Sequence, residues 1–260
     1  ELKNWVINHD PNIISMEFPY PWIQSVKKNP KKFFKDNIKK ILKKNNLNAS
    51  KDIAGFIIEG FQGWGTVFYP KDFLKELNIF CKKNKILITI DEIQSGFGRT
   101  GKLFCYMHYA LKPDLVCCGK GASSGFPLSV LLGSKKLMDL PPMGSMSSTH
   151  SGNPLACTAG KVTLEELKKR RLILRSAKLG KKLHQKLNNL KKKYPRVIKY
   201  IFGKGLVASI IFYTQKGKKF NEFTNQLCID CLKSGLIVIN TGKETLKIAP
   251  PLTINELALY

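Results

Sequence analysis

Arginine and acid are both scarce in this chain beside its lysine. Of its 44 basic residues only five are arginine, there are 18 acids, and the formal charge is +26. So large an excess would ordinarily point to nucleic acid or an anionic membrane. The scarcity of the forked guanidinium, the group best suited to phosphates and base edges, argues against nucleic acid. The lysines fall on the polar faces of helical patterns, as at Lys181-Lys182, Lys186 and Lys191-Lys192-Lys193, where solvated charge is the ordinary reading. No nucleic-acid partner is therefore expected. No run of about 18 apolar residues occurs, so no membrane-spanning helix is predicted and no membrane partner is expected.

Other absences narrow the chemistry. Seven cysteines, an odd number, sit mostly in apolar runs (Cys81, Cys105, Cys117, Cys118, Cys157), the pattern of buried thiols in a reducing compartment. Nothing in the sequence reads as a secretory signal, and a cytoplasmic location is the expectation. Cys228 and Cys231 form a C-x-x-C inside a helical pattern, with no second pair or histidine pair beside it, so packing is expected and no metal site. A phosphate loop of the form G-x-x-x-x-G-K-[ST] is missing, as are repeats and low-complexity segments.

What is present reads as alternating strands and helices. Phe18-Pro19-Tyr20-Pro21-Trp22 is extended and proline-stiffened. Pro30 opens a lysine-rich helix to about Lys44, and residues 45–50 read as a polar connection. The apolar run 53–58, which reads as a strand covered on both faces, ends at Glu59. A helix follows from Asp72, then strand 86–90, a short helix at 103–109, strand 114–118 and strand 126–133 paired with it. Strand, helix, strand of this length gives a parallel sheet. Asn153-Pro154 is a cap with proline at the first helical position, starting a helix to about Leu167; a second runs to Tyr194. Beyond Pro195, strands at 206–212, 237–240 and 245–249 and a helix at 220–233 make an α+β tail. Two domains are expected, 1–180 and 181–260, the second truncated at its end.

The candidate chemistry lies at strand ends. Ile86 to Ile90 delivers Asp91 and Glu92 into the glycine-punctuated loop Gln94-Ser95-Gly96-Phe97-Gly98-Arg99-Thr100-Gly101, and the next strand delivers Lys120 between Gly119 and Gly121. Open α/β sheets bind ligands at such ends. A lysine with little room for a solvated stem becomes a usable nucleophile. Lys for an imine and Asp for a pyridinium nitrogen are what pyridoxal 5'-phosphate requires. An Asp-Glu pair after a strand also resembles the acidic pair of some ATPases, but the missing phosphate loop counts against that.

The motifs Ile90-Asp91-Glu92-Ile93-Gln94-Ser95-Gly96-Phe97-Gly98-Arg99-Thr100-Gly101, Lys112-Pro113-Asp114, Gly119-Lys120-Gly121, Gly125-Phe126-Pro127-Leu128 and Ser148-Thr149-His150-Ser151-Gly152-Asn153-Pro154 occur in order and together closely resemble the class III (ω-) aminotransferases, from about Phe18 to Ile254. The resemblance implies a fold-type I pyridoxal-phosphate-dependent transferase: an α/β fold, mostly parallel sheet with helices on both faces, plus a smaller C-terminal α+β domain. It implies a homodimer acting on small amines and oxo acids. By position it makes Lys120 the Schiff-base lysine and Asp91 the partner of the pyridinium nitrogen. Ile93 then lies against the ring and Gln94 beside the phenolic oxygen. Ser148 and Thr149 reach the phosphate, Thr149 across the dimer interface. Glu59 matches an acid near the substrate.

Two departures follow. Lys247 stands where an arginine that pairs with such an acid is common, and lysine supplies charge without a fork, so a substrate with its amine on a longer chain or a sugar ring is admitted, or Glu59 and Lys247 form only a local ion pair. The family's phosphate-cradling segment and ring-stacking aromatic have no counterpart here. The chain opens on Glu1 and ends inside a helical pattern, so a fragment is expected, one that alone binds the cofactor weakly. Other reactions of the same fold (aminomutase, decarboxylase, epimerase), or a non-catalytic protein with a basic anion-binding surface, stand as alternatives. Arg99 is expected to fix its own loop, His108 to pack on the sheet, and His150 to be a packing or interface residue.

Overall fold

The computed structural model describes residues 10–109, 111–214 and 221–259. Helices α1 (Gln24–Lys28), α2 (Pro30–Lys44) and α3 (Ala49–Asp52) lead into strand β1 (Gly55–Glu59), helix α4 (Lys71–Asn84), and strands β2 (Leu87–Asp91), β3 (Leu115–Cys118) and β4 (Val130–Gly133). These strands form one sheet in the order β1-β2-β3-β4. The first three are parallel and β4 is antiparallel to β3, as the short connection between them requires.

Sequence explains the local choices. Asn29 Oδ1 accepts from Lys32 N–H at 2.9 Å and Pro30 follows, so α2 starts where its cap and proline place it. One stripe of α2 (Phe33, Phe34, Ile38) and one of α4 (Phe73, Leu74, Leu77, Cys81) meet Ile86, Ile88 and Ile90 in a single buried cluster. Lys31 and Lys35 pair with Glu76 across the two helices, at 3.3 and 3.1 Å. Strands β1 and β2 turn alternate residues toward this cluster. The other face, carrying Gly55, Ile57 and Glu59 of β1 with Leu87, Thr89 and Asp91 of β2, is more open.

Helices α5 (Lys135–Met138), α6 (Pro154–Lys169) and α7 (Leu172–Lys193) follow. Asn153 Oδ1 accepts from Leu155 and Ala156 N–H groups at 2.9 and 3.3 Å, as its position before Pro154 predicts. Strands β5 (Ile198–Lys204) and β6 (Val207–Phe212), helix α8 (Glu222–Lys233) and strands β7 (Ile239–Asn240) and β8 (Thr245–Ile248) complete the chain. Their sheet is antiparallel, in the order β5-β6-β8-β7. Leu179, Leu183 and Leu187 of α7 pack with Leu206, Ala208, Ile210 and Leu246 in a second cluster.

Several expectations change. The run 53–58 forms a strand only from Gly55, and it is not covered on both faces: it is an edge strand with Ile57 72 % exposed. The segment 126–133 is a strand only from Val130. A single 3-10 turn, Cys105–His108, replaces the short helix at 103–109. Four elements had no counterpart in the sequence reading: α1, α3, α5 and β5. In β5 (Ile-Lys-Tyr-Ile-Phe-Gly-Lys) interleaved lysines and a glycine hide the strand pattern, which pairing with β6 supplies. The strand expected at 237–240 shortens to Ile239–Asn240, and residue 220 of the helix expected at 220–233 lies outside the described residues.

Candidate active site

Backbone register assembles the site. Glu59 pairs with Asp91 across β1 and β2, and Asp91 with Cys117 across β2 and β3. The ladder runs on past the strands: Gly60 N–H donates to Asp91 O at 3.0 Å and Glu92 N–H to Cys117 O at 2.8 Å. In-register neighbours share a face, so Glu59, Asp91 and Cys117 stand in a row at the carboxyl ends of three parallel strands, on the open side. Lys120 follows three residues after Cys117, opening a 3-10 turn (Lys120–Ala122) with φ +41°, a left-handed conformation costly for a residue with a side chain.

The two acids of the loop part company. Asp91 stays half-buried, and its Oδ1 accepts from Ile93 N–H at 2.8 Å. Glu92 turns inward and is fully buried, accepting from Ser95 Oγ–H at 2.5 Å, Cys105 N–H at 2.9 Å and Tyr106 N–H at 2.8 Å. Burial pushes its pKa up, against the pull of those three bonds, and the neighbouring Asp91 pushes the same way. Glu92 is thus a brace for the loop, and Asp91 is the acid turned to the open face.

Glu59 and Lys247 arrive from different sheets and meet at one glycine. Glu59 Oε2 accepts from Gly63 N–H at 3.0 Å, and Lys247 Nζ–H donates to Gly63 O. A Cβ on Gly63 would lie 2.7 Å from Glu59 Oε1 and 3.5 Å from Gln94 Oε1, so a side chain there would push the Glu59 carboxylate aside. Glu59 is exposed as a residue, yet its carboxyl end is crowded. Burial raises its pKa most; the Gly63 bond opposes this, Asp91 adds to it, and Lys247 and Lys120 pull it down. Lys247 is 8 % exposed, and burial lowers its pKa; Glu59 acts against this and Lys120 reinforces it. The local ion pair admitted for Glu59 and Lys247 is not among the salt bridges of the described residues. Each holds the Gly63 backbone instead.

The structure thus brings Asp91, Lys120 and Lys247 within electrostatic reach of Glu59, and Lys120 within reach of Lys247. Gln94 approaches through Gly63, and Ile93 through Gly119, whose added Cβ would stand 3.2 Å from Ile93 Cγ2. Ser148 and Thr149 lie apart, exposed in the loop before α6, where Ser148 Oγ is 3.0 Å from Ser151 Oγ. Lys120 is exposed, which corrects the expectation of a cramped, desolvated amine: flanking glycines crowd nothing on an open sheet face. Sequence reasoning missed Cys117, which shares a row with Asp91, and the backbone of Gly63; pairing register is the signal that finds the first.

Arg99 fixes its own loop as expected, through partners remote in the chain. Its Nη1–H donates to Leu206 O at 2.9 Å and Pro250 O at 2.5 Å, so it ties the glycine-rich loop to the second sheet. His108 Nε2 lies 3.2 Å from Thr100 O and from Thr100 Oγ1, and its ring meets Phe68 edge-on at 6.0 Å. His150 is exposed. All seven cysteines are free, no described group of His, Cys, Asp and Glu is arranged to hold a metal, and no described helix is long and apolar enough to cross a membrane.

The donor set fits pyridoxal phosphate in part: a primary amine, a carboxylate on the neighbouring strand end and an apolar residue between them suit its ring. A family model described as aminotransferase class-III matches residues 1–259. A probable mitochondrial ornithine aminotransferase of Caenorhabditis elegans is 37 % identical over 221 residues, 82 % of this chain and 50 % of the relative. An acetylornithine aminotransferase of Prochlorococcus marinus is 34 % identical over 236 residues, 86 % of this chain and 54 % of the relative. Among solved structures, ornithine δ-aminotransferase of Plasmodium falciparum superposes with TM-score 0.74 at 32 % identity, covering 86 % of this chain and 56 % of that one. Acetylornithine aminotransferase of Elizabethkingia anophelis gives 0.76 at 32 % identity, covering 85 % and 54 %. The chain spans about half the length of the curated relatives it matches.

Proposed function

We propose, because this chain belongs to the class-III aminotransferase family, that the protein moves an amino group from an amine or amino-acid donor to an oxo acceptor, with pyridoxal phosphate as cofactor. The observation that carries this reading is the row Glu59–Asp91–Cys117 with Lys120 three residues beyond it. When bound, the cofactor supplies an electron sink for the substrate's reacting carbon. Lys120 Nζ would hold the cofactor and, when free, would carry a proton to and from the donor's reacting carbon. The Asp91 carboxylate would hold the proton on the cofactor's pyridine nitrogen. Ile93 would lie against the cofactor's ring and Gln94 beside its phenolic oxygen.

Ser148 and Thr149, on their exposed loop, suit contact with the cofactor's phosphate, Thr149 with that of a partner copy's site in a homodimer. Glu59 and Lys247 face the substrate. The burial that lowers the Lys247 pKa makes its charge expensive, which favours a substrate group able to share that charge over an empty pocket. We place the boundary between the two domains at residues 180 and 181: Ser176 still binds the Arg99 loop, whereas Leu179 onward packs on the second sheet. A cytoplasmic location is part of the same reading, and relatives include proteins named as mitochondrial.

The test is nitrogen transfer. With added pyridoxal phosphate and an amine donor, the protein is expected to aminate 2-oxoglutarate or pyruvate. Lys120→Ala is expected to remove all turnover and Asp91→Asn nearly all. Consumption of the amine without a new amino acid would point to another reaction of the fold. A visible absorbance band that survives dialysis, in a protein lacking transfer activity, would speak for cofactor binding without transamination.

A further inference from the structure

A second concave site has none of Glu59, Asp91, Lys120 and Lys247 in its lining. A cleft of about 670 Å³ opens between the N-terminal aromatic segment and the second sheet, walled by Tyr20, Trp22, Trp64 and Tyr200, with Lys199 and Lys243 at its rim. Its size is that of a small-molecule site. The rings form a platform: Tyr20 stacks on Trp22 (centroids 4.6 Å apart, planes at 10°), Trp22 on Tyr200 (5.5 Å, 24°), and Tyr200 on Phe202 (5.5 Å, 25°). Three remote segments contribute, and polar bonds hold them in place. Trp64 Nε1–H donates to Tyr20 Oη at 3.1 Å, and Thr241 Oγ1–H to Trp64 O at 2.6 Å. Pro19 and Pro21 stiffen the segment that carries Tyr20, so little freedom is left to lose on binding.

The exposed charges around the platform are of one sign. Lys243 Nζ stands 4.8 Å from the Trp64 ring centre, and Lys199 Nζ 5.8 Å from that of Tyr200 and 5.5 Å from that of Tyr213. Both lysines are exposed. The acid in the wall, Glu244, is 2 % exposed and already engaged, accepting from Asn221 N–H at 2.8 Å and Thr224 Oγ1–H at 3.3 Å. A ligand that uses every feature of this cleft has a flat ring for the platform and an anionic group for the rim. A neutral ring would leave the lysines idle, and an aliphatic anion the platform.

We propose that this cleft binds a nucleotide, its base stacked on the Trp22–Tyr200 platform and its phosphate at Lys199 and Lys243. Stacking on aromatic side chains accepts any base and needs no arginine, which is why the composition argument against nucleic acid does not reach this site. The same chemistry is offered by a free mononucleotide and by a single strand.

Calorimetric titration of the full chain tests this with adenosine monophosphate, adenosine, inorganic phosphate and a deoxythymidine decamer. Adenosine monophosphate is expected to saturate one site, with adenosine and phosphate each weaker by roughly tenfold or more, the loss of one of two contact types. Lys199→Glu, a surface change that leaves the fold intact, and Trp22→Leu are each expected to weaken the nucleotide by about tenfold or more. Lys120→Ala is expected to leave binding unchanged, which separates this cleft from the cofactor site whatever the fate of the transaminase reading. A decamer that binds more tightly than the mononucleotide, with strong salt dependence, identifies a strand as the ligand; equal affinity identifies the free nucleotide. No binding of adenosine monophosphate, equal binding of phosphate alone, loss of binding in Lys120→Ala, or no effect of Lys199→Glu overturns the proposal.

Discussion

Strand β6 is buried at all six positions, whereas β4 is exposed at all four and β1 alternates between exposed and half-buried. The second sheet is closed by α7 and α8 on one side and by loops of the first sheet on the other, where Val207 meets Phe61 and Cys105. The first sheet is closed by α2 and α4 on one face only, and its other face carries Glu59, Asp91 and Cys117 together with Ile57. The difference separates two uses of a sheet. One face filled by the chain's own side chains contributes stability. A face that presents a carboxylate row is left unfilled because packing the chain's own apolar groups over it would desolvate the acids. The apolar groups left bare on that sheet, Ile57 at 72 % and Val130, Leu131 and Leu132 at about 40 %, form the kind of surface that marks an interaction site.

The comparison is broken most strongly in the second sheet. Leu206 is fully buried in the cluster between α7 and the second sheet, and Leu206→Ala is expected to cost ~2–5 kcal/mol, read as a fall in the midpoint of urea unfolding. Gly180→Ala comes next. The added methyl would stand 2.4 Å from Gly205 Cα and 2.4 Å from Gly205 O, backbone that has no rotamer to yield, so a loss of about 1–3 kcal/mol is expected in the same assay. An unchanged midpoint would show that α7 and the β5–β6 turn are not held as closely as described.

Titration sharpens the contrast more gently. Glu92 and Glu59 have pKa values raised from 4.5, so the stability linked to them is full below that pH and is lost as pH rises through their folded pKa. His184, packed between α7 and the second sheet, has its pKa lowered from 6.5, chiefly by burial. Its stability is present above that pH and is lost as pH falls through its folded pKa. Hydrogen exchange followed from pH 5 to 7 is expected to show Glu92→Gln flattening the pH dependence of β1–β3, and His184→Gln flattening that of β5, β6 and α7. Because the His108 pKa is lowered too, in the first half, the readout is the difference between variant and parent. The smallest effect belongs to the open face: Ile57→Thr is expected to change stability by less than about 0.5 kcal/mol, since the side chain already meets water. A loss of 2 kcal/mol or more there, about what burying an isoleucine is worth, would mean that something covers β1.

Much of this architecture was legible because single residues carried local signals. Asn153-Pro154 starts α6, Pro30 starts α2, and Asp91 and Glu92 end an apolar run, each by a rule that involves only near neighbours. The short connection after β3 also predicted its pairing with β4. Strand β5 was invisible because its lysines and Gly203 blur the alternation until β6 pairs with it. Arg99 was expected to serve its own loop, since nothing in the sequence reveals that carbonyls of Leu206 and Pro250, more than 100 residues away, lie within its reach.

The sequence by itself determined the chemistry at the strand ends: an acid pair after one strand, a lysine between glycines after the next, and a motif order that names the family. Those properties depend on residue type and local spacing, which the chain carries unfolded. Only tertiary structure decided which acid turns outward, that Glu59 and Lys247 clasp Gly63 rather than each other, and that Lys120 stands in the open. It also decided that a proline-stiffened aromatic segment at residues 18–22 stacks on Tyr200. These depend on pairing register and on contacts between residues far apart in the chain, and such contacts exist only once the backbone has folded.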